Sequence, residues 1–110
     1  MPTFMILGRF TDETAMSVAA RPPVHTAGEI YQQLHDLAHE DPLDGSLQNL
    51  FFTAGEYEMV VVLDMPNQRQ AVAYAFAITR MLGVRTITVP AFDASSMQGV
   101  FDDSSKVDGD

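Results

Sequence analysis

Apolar positions along this chain recur with two periods, and the points where one period gives way to the other delimit its elements. Thr3 to Phe10 combines β-branched and aromatic residues at a period of two, with Phe4, Ile6, Gly8 and Phe10 on one side and Thr3, Met5, Leu7 and Arg9 on the other. This is a first strand with bulk on both faces. Thr11 or Asp12 can cap a short helical segment through Ala20, which Arg21-Pro22-Pro23 ends. From Val24 or Thr26 to His39 the period lengthens: Ala27, Ile30, Tyr31, Leu34, Leu37 and Ala38 fall at spacings of three and four, the stripe of a helix packed on a sheet. The breaker-rich run Glu40-Asp41-Pro42-Leu43-Asp44-Gly45 is a turn. Ser46 to Thr53 then reads as a second strand, and Ala54-Gly55-Glu56 is short enough to close an antiparallel hairpin with a third strand from Tyr57 to Asp64. Asn67 caps a helix from Gln68 to Met81 or Leu82, with Gly83 as its stop. Val84 to Phe92 is the last strand, and Asp93 to Phe101 holds a short terminal helix before a polar end.

The order strand, helix, strand, strand, helix, strand, with each helix long enough to cross between parallel strands, is the ferredoxin-like split βαβ pattern, an α+β fold with a four-stranded antiparallel sheet. Helices cover one face of such a sheet. The third strand, however, is apolar on both faces through Met59-Val60-Val61-Val62-Leu63, so a second cover is expected from another copy of the chain. Grouping the strand faces that contain polar residues sets Met5, Leu7 and Arg9 beside Glu58, Val60 and Val62, and beside Thr86 and Thr88. Two such faces would close into a dimeric α/β barrel around a mostly apolar pocket with a few polar groups. A one-residue bulge would invert any of these assignments. The second helix is apolar over more than one sheet contact requires, with Val72, Ala75, Phe76 and Thr79 on one side and Ala71, Tyr74, Ile78 and Met81 on another.

Composition narrows the function. The chain has 110 residues, enough for one domain and one core, and its 46% hydrophobic content is ordinary for a globular protein. Fifteen acidic against six basic side chains give a formal net charge of -9, which repels phosphate backbones and anionic membranes, so neither nucleic acid nor a membrane surface is an expected partner. Asp102, Asp103, Asp108 and Asp110 place part of that charge in a flexible acidic tail over residues 102–110, after a domain spanning 1–101. The absence of cysteine removes disulfides, thiolate metal sites and cysteine nucleophiles together. Met1-Pro2-Thr3-Phe4 carries no basic leader, and the apolar run behind it is too short to span a bilayer; a cytoplasmic location is expected.

Three stretches together resemble the GYD-domain proteins, a family of small bacterial proteins: Ile6-Leu7-Gly8-Arg9-Phe10-Thr11-Asp12, Gly55-Glu56-Tyr57-Glu58, and Val84-Arg85-Thr86 running on to Ala91-Phe92. The family's naming triplet ends in Asp, where this chain has Glu58. The resemblance covers nearly the whole chain and implies a ferredoxin-like protomer that pairs into a dimeric α/β barrel, an architecture shared with small cofactor-free monooxygenases, decarboxylases and stress-response proteins. It implies no reaction.

No motif calls for a cofactor or a metal. The seven glycines are dispersed and form no phosphate loop, and Ser46, Ser95 and Ser96 imply no catalytic triad. His35 and His39 stand four apart on the first long helix, but no obvious third ligand accompanies them beyond Asp36, Glu40 or Asp41, and exposed imidazoles near a helix end are the plainer reading. The candidate ligand-binding residues are Arg9, Tyr57, Glu58, Thr86, Thr88 and His25. Arg9 projects from an apolar strand and can fork onto a carboxylate or hydroxyl, or form a structural salt bridge. Tyr57 and Glu58 place a phenol and a carboxylate at a pocket mouth, or else Tyr57 packs at the sheet edge while Glu58 pairs with Arg9 or Arg85. His25, beside Pro22-Pro23, overhangs the pocket entrance or is simply exposed. The leading expectation is a homo-oligomer that binds a small apolar or aromatic molecule. The alternatives are a cofactor-free enzyme acting on such a molecule, with Glu58 or His25 as base and Arg9 or Tyr57 stabilising an anion, and a purely structural oligomer.

Overall fold

A computed structural model describes residues 1–12 and 26–108. Its elements run β1 (Thr3–Phe10), α1 (Ala27–His39), β2 (Ser46–Phe52), β3 (Met59–Asp64), α2 (Gln68–Leu82), β4 (Val84–Ala91) and α3 (Ala94–Asp108). The expected helix from Thr11 or Asp12 to Ala20 and the candidate His25 lie outside the described residues. The four strands form one antiparallel sheet in the order β2-β3-β1-β4, the ferredoxin-like arrangement.

Local signals set the helix ends. Thr26 accepts a hydrogen bond from the Glu29 amide (3.2 Å) at the start of α1, and Asn67 accepts from the Gln70 amide (3.0 Å) at the start of α2. Gly83 stops α2 at φ 68°, a left-handed conformation that its missing Cβ permits. Ile30, Leu34 and Ala38 of α1 and Ala71, Tyr74, Ala75, Ile78 and Leu82 of α2 are buried against the sheet. Beneath them lie Phe4 and Ile6 of β1, Met59, Val61 and Leu63 of β3, and Val84 of β4, all at most 5% exposed. Tyr31, expected in the α1 stripe, is instead exposed and stacks on His35.

Three boundaries differ from the sequence reading. β3 begins at Met59, so Tyr57 and Glu58 precede it and belong to the connection, where the Thr53 amide donates to the Glu58 carbonyl (2.8 Å). The pairing of β2 with β3 shifts register between Leu47 and Asn49, a bulge that moves Asn49 and Phe51 onto the face of Val62 and Val60. The terminal helix does not stop at Phe101. Asp93 accepts from the Ser96 amide (2.7 Å) at its start, and the contact of Gln98 Nε2 with Asp102 Oδ1 (3.0 Å) ties successive turns, so the acidic residues 102–108 expected as a tail continue the helix.

Candidate functional site

The sheet face opposite α1 and α2 has no cover among the described residues, and its register sets out a graded surface. Met5 lies between Val62 and Val89, and Leu7 between Val60 and Ile87, which makes an apolar centre. At one end Thr3 faces Asp64. Thr3 Oγ1 donates to Asp64 Oδ1 (2.7 Å) and Gln48 Nε2 donates to Asp64 Oδ2 (2.9 Å), so both oxygens of this carboxylate are engaged. At the other end Arg9 stands directly opposite Arg85. Both are exposed, and with Phe10, Thr11 and Asp12 they border a hollow of about 380 Å³.

Two like charges facing each other across antiparallel strands repel and destabilise the pair. The carboxylate expected to relieve one of them does something else. Glu58 Oε1 accepts a hydrogen bond from the Phe10 amide (3.0 Å) while the Glu58 amide donates to the Gly8 carbonyl (2.9 Å), so Glu58 clamps the end of β1. It forms no ion pair with Arg9 or Arg85 among the described residues. The half-buried Tyr57 offers its carbonyl to Thr53 Oγ1 (2.5 Å).

Thr86 and Thr88 are not on this face. They pair with Gly8 and Ile6, so they point to the helix side, and Arg85, Ile87 and Val89 take the open side. Grouping by polarity misled here, because β4 is mixed on both faces and the threonines sit where the helix cover ends. They join Val72, Ala75, Phe76 and Thr79 of α2, with Arg85 at the rim, around a groove of about 490 Å³. Gly8 sits beside it for packing reasons: a Cβ at that position would lie 2.7 Å from Val84 Cγ1. Arg85 as the counterpart of Arg9 was missed as a joint site, since only the strand register brings the two together.

Two further groups have structural roles. Burial holds the Tyr74 phenol far above its ordinary pKa, and its hydroxyl donates to the Leu34 carbonyl (2.7 Å), tying α2 to α1. Hydrogen bonds from the Ser96 backbone, then its side chain, hold the exposed Asp93 carboxylate below its ordinary range, in keeping with a helix cap. His35 and His39 meet edge to face with ring centroids 4.9 Å apart, and among the described residues no cluster of three or more acidic, histidine or cysteine side chains has the arrangement to hold a metal ion. No helix of the described residues is long and apolar enough to cross a membrane.

No curated protein and no solved structure matches the chain. Residues 4–100 match the GYD domain, a span that includes the four strands save Thr3 of β1, the Arg9 and Arg85 pair and the Glu58 clamp. The chain therefore belongs to the GYD domain family.

Proposed function

We propose that this protein is a homo-oligomeric binding module in which the open sheet faces of two copies close over a mostly apolar pocket, and that its ligand is a small aromatic or apolar molecule bearing a carboxylate. The observation that carries this reading is the facing of Arg9 and Arg85 at the end of an apolar row formed by Met5, Leu7, Val60, Val62, Ile87 and Val89. An apolar row of this extent calls for a cover. An anion between the two guanidinium groups turns their mutual repulsion into two charge-assisted contacts of fork geometry, and the adjacent row receives the apolar part of the same molecule. Glu58 serves by position in this scheme: its bond to the Phe10 amide fixes the strand end from which Arg9 projects.

The test pairs sedimentation with thermal shift. Aromatic carboxylates such as benzoate are expected to raise the melting temperature of the wild-type protein, because they bind only the native state, while the matching neutral amides are not. Arg9→Gln and Arg85→Gln should each abolish the shift without unfolding the protein. A monomer at micromolar concentration defeats the paired-sheet reading; equal shifts from carboxylates and amides defeat the assignment of the arginines.

A further inference from the structure

An unpartnered helix and, on the helix side of the sheet, an unfilled groove occur in the same chain. α3 is fifteen residues long and makes no substantial packing with the sheet or with α1 and α2. Met97 is half-buried, while Val100, Phe101 and Val107 are exposed, Phe101 at 57%. Their spacings of three, four and seven put them on one stripe. A helix of this length is marginal in water on its own, and an apolar stripe is what a packing partner stabilises. The groove between α2 and β4 is the complementary element. Its apolar wall is Val72, Ala75 and Phe76, and the Phe76 ring is 62% exposed.

Charge distinguishes the occupant. Arg69, Val72, Phe76 and Arg80 follow one another along α2 at helical spacing, and Arg85 stands at the groove rim, so three of the six basic residues of this acidic chain border one apolar strip. None of the three is ion-paired among the described residues. On α3, Asp103 stands one turn from both Val100 and Val107 and so flanks the apolar stripe, while Lys106, 4.0 Å from its carboxylate, and Asp102 fall toward the far side of the helix. The two surfaces match in polarity and are opposite in sign.

We infer that α3 is an intermolecular arm: the helix Ala94–Asp108 of one copy docks into the α2–β4 groove of a second copy, with Phe101 and Val100 against Phe76 and Val72 and Asp103, at the edge of the stripe, toward the arginines that border the groove. The helix of the same copy is poorly placed to do this. Only Phe92 and Asp93 join it to β4, Asp93 is committed to the helix cap, and the groove borders Arg85 to Thr88, toward the opposite end of the strand. This contact uses the helix side of the sheet and stands independently of the pairing of open faces proposed above.

Because the chain has no cysteine, engineered cross-links report on this contact without background. Full-length Phe76→Cys and Phe101→Cys variants carrying different tags, mixed and mildly oxidised, should form the mixed disulfide in clear excess over either self-linked species. Adding Arg69→Glu and Arg80→Glu to the first variant should lower its yield several-fold, and Asp103→Lys in the second should restore part of it. Val72→Cys with Val100→Cys repeats the test if Phe76→Cys lowers the helical circular dichroism signal. Three outcomes overturn the inference: no mixed link in either pair, self-linked species only, or a double-cysteine chain that closes on itself at high dilution while the mixture stays unlinked.

Discussion

Val61 and Val62 are neighbours in one strand and have the same side chain, yet Val61 is fully buried under α1 and α2 while Val62 lies half-buried on a face that no other element covers among the described residues. The same contrast holds between Ile6 and its neighbours Met5 and Leu7. Apolar content alone therefore does not make a core. The covered face has its partner within the chain and contributes to the stability of one protomer, whereas the open face has no such partner among the described residues. The polar residues obey the same division. Gly8 and Tyr74 on the helix side solve packing and hydrogen-bonding problems of a closed interior, while Arg9 and Arg85 on the open side have no acidic ion-pair partner among the described residues.

The sharpest way to break this comparison is to place the same charge at two adjacent positions. Val61→Asp puts a carboxylate into the closed core and should destabilise the protomer by more than about 4 kcal/mol, read as loss of the folded baseline in urea denaturation. Val62→Asp should leave protomer folding largely intact and shift the sedimentation profile toward monomer. If both variants unfold alike, the open face is part of the protomer core and the distinction fails. Gly8→Ala comes next, since the added methyl must displace Val84 or Met59; a loss of about 1–3 kcal/mol is expected in the same measurement, with assembly unchanged.

A pH titration sharpens the contrast on the closed side. The folded-state pKa of Tyr74 is raised by burial, so its contribution is fully present below the ordinary tyrosine pKa of about 10 and is lost as pH rises beyond it toward the folded-state value. Tyr74→Phe should cost about 1 kcal/mol at neutral pH, for the bond to Leu34, and flatten the alkaline fall in stability. An unchanged alkaline profile would show that another group controls it. The smallest effect is expected at the strand end: Glu58→Gln keeps an oxygen acceptor for the Phe10 amide and removes only the charge, so stability should fall by about 0.5–1 kcal/mol. Carboxylate binding should persist in this variant, because Glu58 positions Arg9 through the backbone; its loss would reassign Glu58 to the ligand.

The periods of two and of three to four, the Thr26 and Asn67 caps and the Gly83 stop are local properties, so the sequence by itself determined six elements, their order and with it the ferredoxin-like topology. GYD family membership was equally legible, because the motifs that carry it are short runs of contiguous residues. Gly55 belongs to this class as well: it stands in the short hairpin connection and adopts φ 148°, a conformation that glycine reaches most readily. What only the tertiary structure decided is which residues share a surface. Strand periodicity fixes alternation but not the starting side: polarity groups Thr86 and Thr88 with Arg9, whereas the pairing with Gly8 and Ile6 puts them under the helices. From the sequence, which shows side-chain charge, Glu58 reads as a carboxylate at a pocket mouth or as a partner for a cation; that its carboxylate takes a backbone amide 48 positions away depends on two strands meeting in register. The length of α3 was cut short for a related reason, since its acidic composition reads as a solvated tail and the cap and side-chain contacts that sustain it are individually weak. Distances along the chain are set by covalent bonds, but sites such as the Arg9 and Arg85 pair are set by hydrogen-bonded register, and register is a property of the whole sheet.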